Sequence, residues 1–284
     1  MDLYQEIFFR LVRNGMRVHR LLAKPVMRME ALLGGLSLGG LDGEYLQRLT
    51  SSAYSDRGDY RLEELFPWEE RWFEEDLPKA PAKLLIGGAG TGREARHLGD
   101  KGYEYIAFDP AASFARRGKL RSDLRGCLDF LEGSYEDLAQ PGDEKAKLFL
   151  EAVEENAPYA AVLLGWGSFT HMALPEMRLK LLQRLKSLCP DGPLLLSFWM
   201  RSDDSRLDAG RLWKLGFRIG STLTGGGKTE SDMDGDSVSS RAGYGHHFSR
   251  DEFEKLCRDS GYEAYRPPPG PHSGTFPHTT LQPT

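Results

Sequence analysis

The spacing of hydrophobic positions changes along the chain and divides it into three stretches. In residues 1–33, Ile7, Leu11, Val18, Leu21, Leu22, Leu32 and Leu33 recur near helical spacing, with Arg10, Arg13, Arg17, Arg20 and Lys24 between them. That pattern predicts a basic amphipathic helix broken at Pro25. Gly34, Gly35, Gly39, Gly40 and Gly43 then predict a flexible joint. Residues 44–80 are polar, helical in tendency and aromatic, with Tyr54, Tyr60, Phe66, Trp68, Trp72 and Phe73. Pro78 and Pro81 mark a boundary, which predicts an N-terminal helical lid or extension over 1–80 and a second domain over 81–284.

Beyond that boundary, short apolar runs alternate with helical patterns. Strands are predicted at Lys83–Gly87, Tyr105–Phe108, Cys127–Leu131, Ala160–Leu164 and Pro193–Trp199, with helices at Glu94–Gly99, Asp143–Asn156 and Pro175–Leu188. This rhythm predicts an α/β fold, a mostly parallel sheet flanked by helices, with ligands at the carboxyl ends of the strands. It lapses over 201–248, a Gly- and Ser-rich insertion expected to be a solvated loop or a substrate lid. It returns with a helix at Arg250–Ser260 and strands at Tyr262–Arg266 and His278–Gln282.

Composition narrows the function classes. The 284 residues are 40% hydrophobic and 28% charged, as in an ordinary globular protein, and the net charge is −5. A mildly acidic chain has no general attraction for nucleic acid, so none is expected as a partner. Cys127, Cys189 and Cys257 lie far apart, so neither a zinc site nor a disulfide framework is expected. The start resembles no signal peptide and no apolar run approaches a membrane span, which predicts a cytoplasmic protein without membrane binding. The first helix is expected to pack on its own domain or to join two copies as a homodimer.

The most informative segment is Leu84-Leu85-Ile86-Gly87-Gly88-Ala89-Gly90-Thr91-Gly92-Arg93-Glu94. A strand runs into a glycine turn and a helix, whose first N–H groups are open to a polar ligand. About twenty residues on, the next strand ends at Asp109, where a carboxylate can accept bonds from both hydroxyls of a ribose. Together they point to a nucleoside cofactor rather than a plain turn. Arg93 stands where a dinucleotide loop has its third glycine, and no Gly-Lys-Ser/Thr follows to make a Walker loop.

Gly88-Ala89-Gly90-Thr91-Gly92, with Asp109 behind it, resembles the cofactor loop of class I S-adenosylmethionine-dependent methyltransferases. Leu131–Leu138 resembles that family's adenine-contacting segment, and Tyr159–His171 its fourth strand and substrate-facing turn. Leu188–Phe198 resembles its fifth-strand turn, and Tyr244–Tyr262 the passage before its last strands. The resemblance covers roughly 83–282. It implies a Rossmann-like seven-stranded sheet, S-adenosyl-L-methionine as cofactor, and methyl transfer to an O or N of a small-molecule acceptor. Cofactor contacts are implied at Gly88, Ala89, Gly90, Gly92, Glu94, Asp109, Pro110, Ser134, Tyr135, Gly165 and Trp166, with Tyr60 closing from the lid.

Two positions depart from the family. Ile86 replaces an acid that helps hold the methionine amino group, leaving Glu94 and lid residues as candidates, and Ser134 replaces an Asp.

Methyl transfer depends on holding nucleophile, methyl carbon and sulfur in line. A base is needed only when the acceptor must lose a proton, and His171 is the candidate, as a base or as a structural histidine. Trp166 and Phe169 are candidate aromatic walls for the acceptor, and His246 and His247 candidate substrate contacts. The aspartates around Asp234 miss the EF-hand spacing, so no metal is expected. The rival readings are an NAD(P)-dependent oxidoreductase and a non-catalytic binding protein on the same fold.

Overall fold

The structure is a computed structural model that describes residues 3–55, 64–201, 210–225, 229, 233–266 and 276–284. It divides into two compact units, the first division falling between Asp42 and Gly43.

The larger unit is built on a seven-stranded sheet ordered β3-β2-β1-β4-β5-β10-β9. Its strands are β1 (Lys83–Gly87), β2 (Glu104–Asp109), β3 (Cys127–Glu132), β4 (Ala161–Leu164), β5 (Leu194–Ser197), β9 (Tyr262–Arg266) and β10 (His278–Pro283). The first five are parallel, and β10 runs antiparallel to both β5 and β9. Order reverses between β1 and β4, where a doubly wound sheet opens a crevice for ligands.

Both faces of the sheet are covered, so its central strands read as continuous apolar runs. Leu85, Ile106, Phe108, Val162, Leu164, Leu194 and Leu196 fill the core on one face. Their alternating neighbours Leu84, Ile86, Tyr105, Ala107, Ala161, Leu163 and Leu195 fill the other. The period of two along each strand decides which core a side chain enters.

Two helices expected to lie with the N-terminal extension belong to this unit: α2 (Gly43–Ser55) and α3 (Pro67–Asp76). Long-range bonds hold them there. Thr50 on α2 accepts the Tyr244 N–H at 2.9 Å, and Trp72 Nε1 on α3 donates to Thr280 Oγ1 at 2.8 Å.

The smaller unit contains α1 (Leu3–Gly40) and α9 (Arg211–Thr224). Two expectations fail here. The helix does not break at Pro25 but runs through it. The glycines at 34–40 are no joint: they are the last turns of α1, where its backbone meets α9. A Cβ on Gly35 would sit 2.0 Å from the Trp213 carbonyl oxygen, and one on Gly39 2.2 Å from that of Phe217.

The described residues of 201–248 include regular elements where a loop is expected. Besides α9 they contribute β7 (Asp236–Ser239) and β8 (Gly243–Phe248), which form a second sheet in the order β6-β8-β7 with β6 (Trp199–Met200). The helix that follows, α10 (Arg250–Ser260), packs back on α8 (Pro175–Leu188).

Candidate functional site

The loop from β1 into α4 (Arg93–Asp100) forms the floor of a cavity at the sheet's order reversal. The cavity holds about 1030 Å³ of atom-free space, which includes open solvent at its mouth. Gly88 has φ +64, and a Cβ there would lie 2.6 Å from Ser168 Cβ. Gly90 has φ +56 and nothing within 4 Å of its Cβ position. Gly92 serves differently: at φ +93 it starts α4, and its Cβ position meets Leu124 rather than the cavity.

Asp109, at the end of β2, turns its carboxylate under this loop. Oδ2 accepts the Gly90 N–H at 2.8 Å and Oδ1 the Ala111 N–H at 2.9 Å. Burial nevertheless pushes its pKa up to about 6, the two backbone bonds opposing and the Glu94 charge assisting. Pro110 and Ala89 line the cavity beside it.

Ile86, where the family has an acid, is buried in the core under the loop. Glu94 lines the cavity instead, held by Arg93 Nη2 at 2.5 Å from its Oε1. Arg93 also grips Glu69 on α3 through Nη1 at 2.9 Å and Nη2 at 2.6 Å. All three side chains are buried. No hydrogen bond reaches Glu94 Oε2 among the described residues.

After β4, the chain passes through Gly165 and Trp166. Trp166 has φ +42, a left-handed conformation strained for a bulky residue. Its ring lies 5.1 Å from the Arg93 guanidinium carbon. The short 3₁₀ turn Ser168–His171 follows, and Ser168 and His171 line the cavity.

His171 Nδ1 lies 2.6 Å from the Tyr244 carbonyl oxygen, and Nε2 2.9 Å from the Tyr54 hydroxyl. A carbonyl only accepts, so Nδ1 carries a proton. In the neutral ring, Nε2 is then the acceptor and Tyr54 the donor.

Ser134 and Tyr135 form the wall after β3. Ser134, in place of the family's Asp, caps α6 (Tyr135–Ala139), its hydroxyl accepting the Asp137 N–H. The Tyr135 hydroxyl meets Ser168 Oγ at 2.6 Å.

Several lining residues were not singled out from sequence. Glu136 lines the cavity, accepts from Gln47 Nε2 at 2.6 Å, and is pushed up to about 7 by burial. Gln47, Thr50 and Ser51 present one side of α2 to the same cavity, together with Tyr54 of the aromatic segment that the family resemblance implies as a lid over the cofactor. Spacing of three and four along a helix is the signal that groups the first three with Tyr54.

Other candidates lie elsewhere. Phe169 is buried in the core with its ring stacked 5.5 Å from Phe248, while Ser168 and His171 of the same 3₁₀ turn line the cavity. His246 is buried between Asp236 Oδ1 at 2.6 Å and Glu252 Oε1 at 2.8 Å. His247 faces Ser237 and the Trp199 ring. Neither histidine lines the cavity. Tyr60 falls outside the described residues. Trp68 packs against Trp72 and His278.

A family model described as a methyltransferase domain matches residues 58–266. No curated protein sequence matches the chain. Among solved structures, a Burkholderia thailandensis 1,6-didemethyltoxoflavin N1-methyltransferase bound to 1,6-didemethyltoxoflavin and S-adenosylhomocysteine is similar. It has 19% identity and a TM-score of 0.52, with 85% of this chain and 89% of that one covered. A Methanosarcina mazei SAM-dependent methyltransferase shares 14% identity at TM-score 0.48, covering 77% and 96%. An amino pentose methyltransferase from Micromonospora echinaspora shares 14% at 0.49, covering 82% and 95%.

Proposed function

We propose that this chain, which belongs to the class I S-adenosylmethionine-dependent methyltransferases, transfers a methyl group to an oxygen or nitrogen of a small-molecule acceptor. It is an enzyme, and its cofactor is S-adenosylmethionine.

The residues present fit that group. Each Asp109 oxygen accepts one backbone N–H and retains capacity for a ribose hydroxyl. The space beside Gly90 is open. Glu69 and Glu94 share one guanidinium, leaving a buried negative charge that a cation would offset. Glu94 is therefore the residue to take the methionine ammonium in place of the acid absent at Ile86. Gly88, Ala89, Pro110, Ser134, Tyr135, Gly165 and Trp166 would shape the remainder of the seat.

Bound cofactor supplies an electrophilic methyl on a positively charged sulfur. The chain's own work is to orient, to exclude water and to take a proton. The observation that carries the O or N reading is the Tyr244–His171–Tyr54 series. The Tyr244 carbonyl holds His171 in the tautomer whose Nε2 accepts, as a general base requires. A proton leaving the acceptor passes to the Tyr54 oxygen as the tyrosine's own proton moves to Nε2. The Burkholderia protein, named for a small heteroaromatic substrate, accords with an acceptor of similar size.

Thermal unfolding with S-adenosylhomocysteine, S-adenosylmethionine and NAD(H) comes first, since a ligand of the folded state raises its stability. The two adenosyl ligands alone should shift the transition. Phenols and amines would then be assayed with methyl-labelled cofactor. His171→Ala should lower turnover about a hundredfold or more while leaving the S-adenosylhomocysteine shift nearly intact. A shift with NAD(H) alone would end this reading.

A further inference from the structure

We propose that Arg178 is a positioning residue for His171: it fixes both the turn that carries the histidine and the tyrosine that orients its ring. The inference rests on the reading of His171 as a general base.

Arg178 is an unusual member of α8, which otherwise buries Leu181, Leu182, Leu185 and Leu188. Its side chain is 2% exposed. A guanidinium taken out of water is costly unless its donors are filled, and where those donors go is informative.

Two of them go to the end of the His171 turn. Ser168–His171 is a single 3₁₀ turn, and the backbone bond that closes it is long. The Met172 N–H donates to the Phe169 carbonyl at 3.5 Å, beyond the ordinary range. Arg178 Nε and Nη2 donate to the Met172 carbonyl at 3.0 and 2.9 Å. The residue after His171 is therefore held by two charge-assisted bonds from α8 rather than by its own turn.

A third bond goes to the partner of His171. Nη2 also donates to the Tyr244 hydroxyl at 3.0 Å, and that hydroxyl donates to Asp236 Oδ1 at 2.6 Å. Burial pushes the Tyr244 phenol up, so it keeps the proton this bond requires. His246 joins Asp236 to Glu252, and Arg178 Nη1 lies 3.5 Å from Glu252 Oε1, which closes a ring of side chains. Tyr244 is thus anchored by its hydroxyl on this ring and by its N–H on Thr50, while its carbonyl accepts from His171 Nδ1 at 2.6 Å. A staple between α8 and β8 would need only the Tyr244 hydroxyl. The two bonds to Met172 bear on the turn.

The first test needs no acceptor. Nitrogen-15 spectra of the histidine-labelled full chain, with His171 assigned by its loss in His171→Ala, should show Nδ1 protonated and Nε2 unprotonated at neutral pH. In Arg178→Lys, which keeps the charge but not the fork of donors, that preference should be lost. Tyr244→Phe deletes a single oxygen and should give the same change in smaller measure, so it serves if the lysine variant does not fold. Both should keep the stabilisation by S-adenosylhomocysteine. In turnover, Arg178→Lys should lower kcat about tenfold or more with KM nearly unchanged. It should lower it no further in a His171→Ala background. An unaltered His171 spectrum in the folded variants, or an equal fall in kcat with and without His171, would overturn the proposal. Unchanged turnover in His171→Ala would instead remove the base reading, and the spectrum would still decide the positioning.

Discussion

Two glycine clusters in this chain look alike in sequence and do opposite things. Gly88, Gly90 and Gly92 lie between a strand and a helix with φ values of +64, +56 and +93, conformations that L side chains rarely adopt. Gly35 and Gly39 lie inside α1, in ordinary helical conformation, and are needed for the absence of a side chain. The relation is reciprocal. A Cβ on Gly216 would sit 2.2 Å from the Leu32 carbonyl oxygen, and one on Gly220 2.4 Å from that of Leu36. Glycine costs a helix about 1 kcal/mol relative to alanine, which close backbone packing offsets here. A loop glycine is identified by its immediate neighbours. A packing glycine is identified by its partner, here about 180 residues away.

The largest effect should come from the loop's ligand side. Asp109→Ala removes the acceptor for the ribose and orphans the Gly90 N–H. Charge-assisted bonds contribute about 1.5–3 kcal/mol each, so S-adenosylhomocysteine affinity should fall on the order of a hundredfold or more by calorimetry. The circular dichroism of α1 and α9 should not change. Next comes the helix cluster. Gly35→Ala forces a methyl against a backbone carbonyl, and overpacking costs about 1–3 kcal/mol or more. The α1–α9 pair should loosen under limited proteolysis, while cofactor affinity stays within twofold or so. Loss of cofactor affinity in Gly35→Ala would show that the two clusters are not independent. Smaller in its cost to the free protein is Gly90→Ala, whose methyl meets no protein atom and bears left-handed strain of about 1–2 kcal/mol. That methyl enters the space the cofactor would fill, so affinity should fall while α1 is unaltered.

The same contrast explains what could be read in advance. The sheet was legible because strand, turn and helix are each signalled by adjacent residues, and the Gly88–Asp109 pairing spans only one βαβ unit. Glu136 and Gln47 were not, because their meeting joins α2 to α6 and neither sequence names the other. Proximity to the fourth strand and the last turn points Phe169 and His246 at the substrate. Tertiary packing buries Phe169 against Phe248, and His246 between two carboxylates. Glu94 was placed as a candidate only because Ile86 left a vacancy. Its cradle of Arg93 and Glu69 needed α3.

The finest discrimination comes from pH. Burial raises Asp109 from an ordinary carboxylate value to about 6. A carboxyl with a raised folded-state pKa keeps its proton to higher pH than in the unfolded chain. Its contribution to stability is therefore full below about 4 and is lost as pH rises through about 6. At neutral pH the free enzyme holds a buried charge at a cost of about 3 kcal/mol at most. Ribose hydroxyls donate to that charge, so the ligand prefers the ionised carboxylate. Affinity for S-adenosylhomocysteine should be level above pH 7 and fall toward tenfold per unit below about 6. Glu136, raised to about 7 in the same cavity, is the competing source of such a slope. Glu136→Gln should retain the fall below 6, and Asp109→Asn should abolish it. A profile flat from pH 5 to 8 in the unaltered protein would mean that Asp109 does not hold the ribose as a carboxylate.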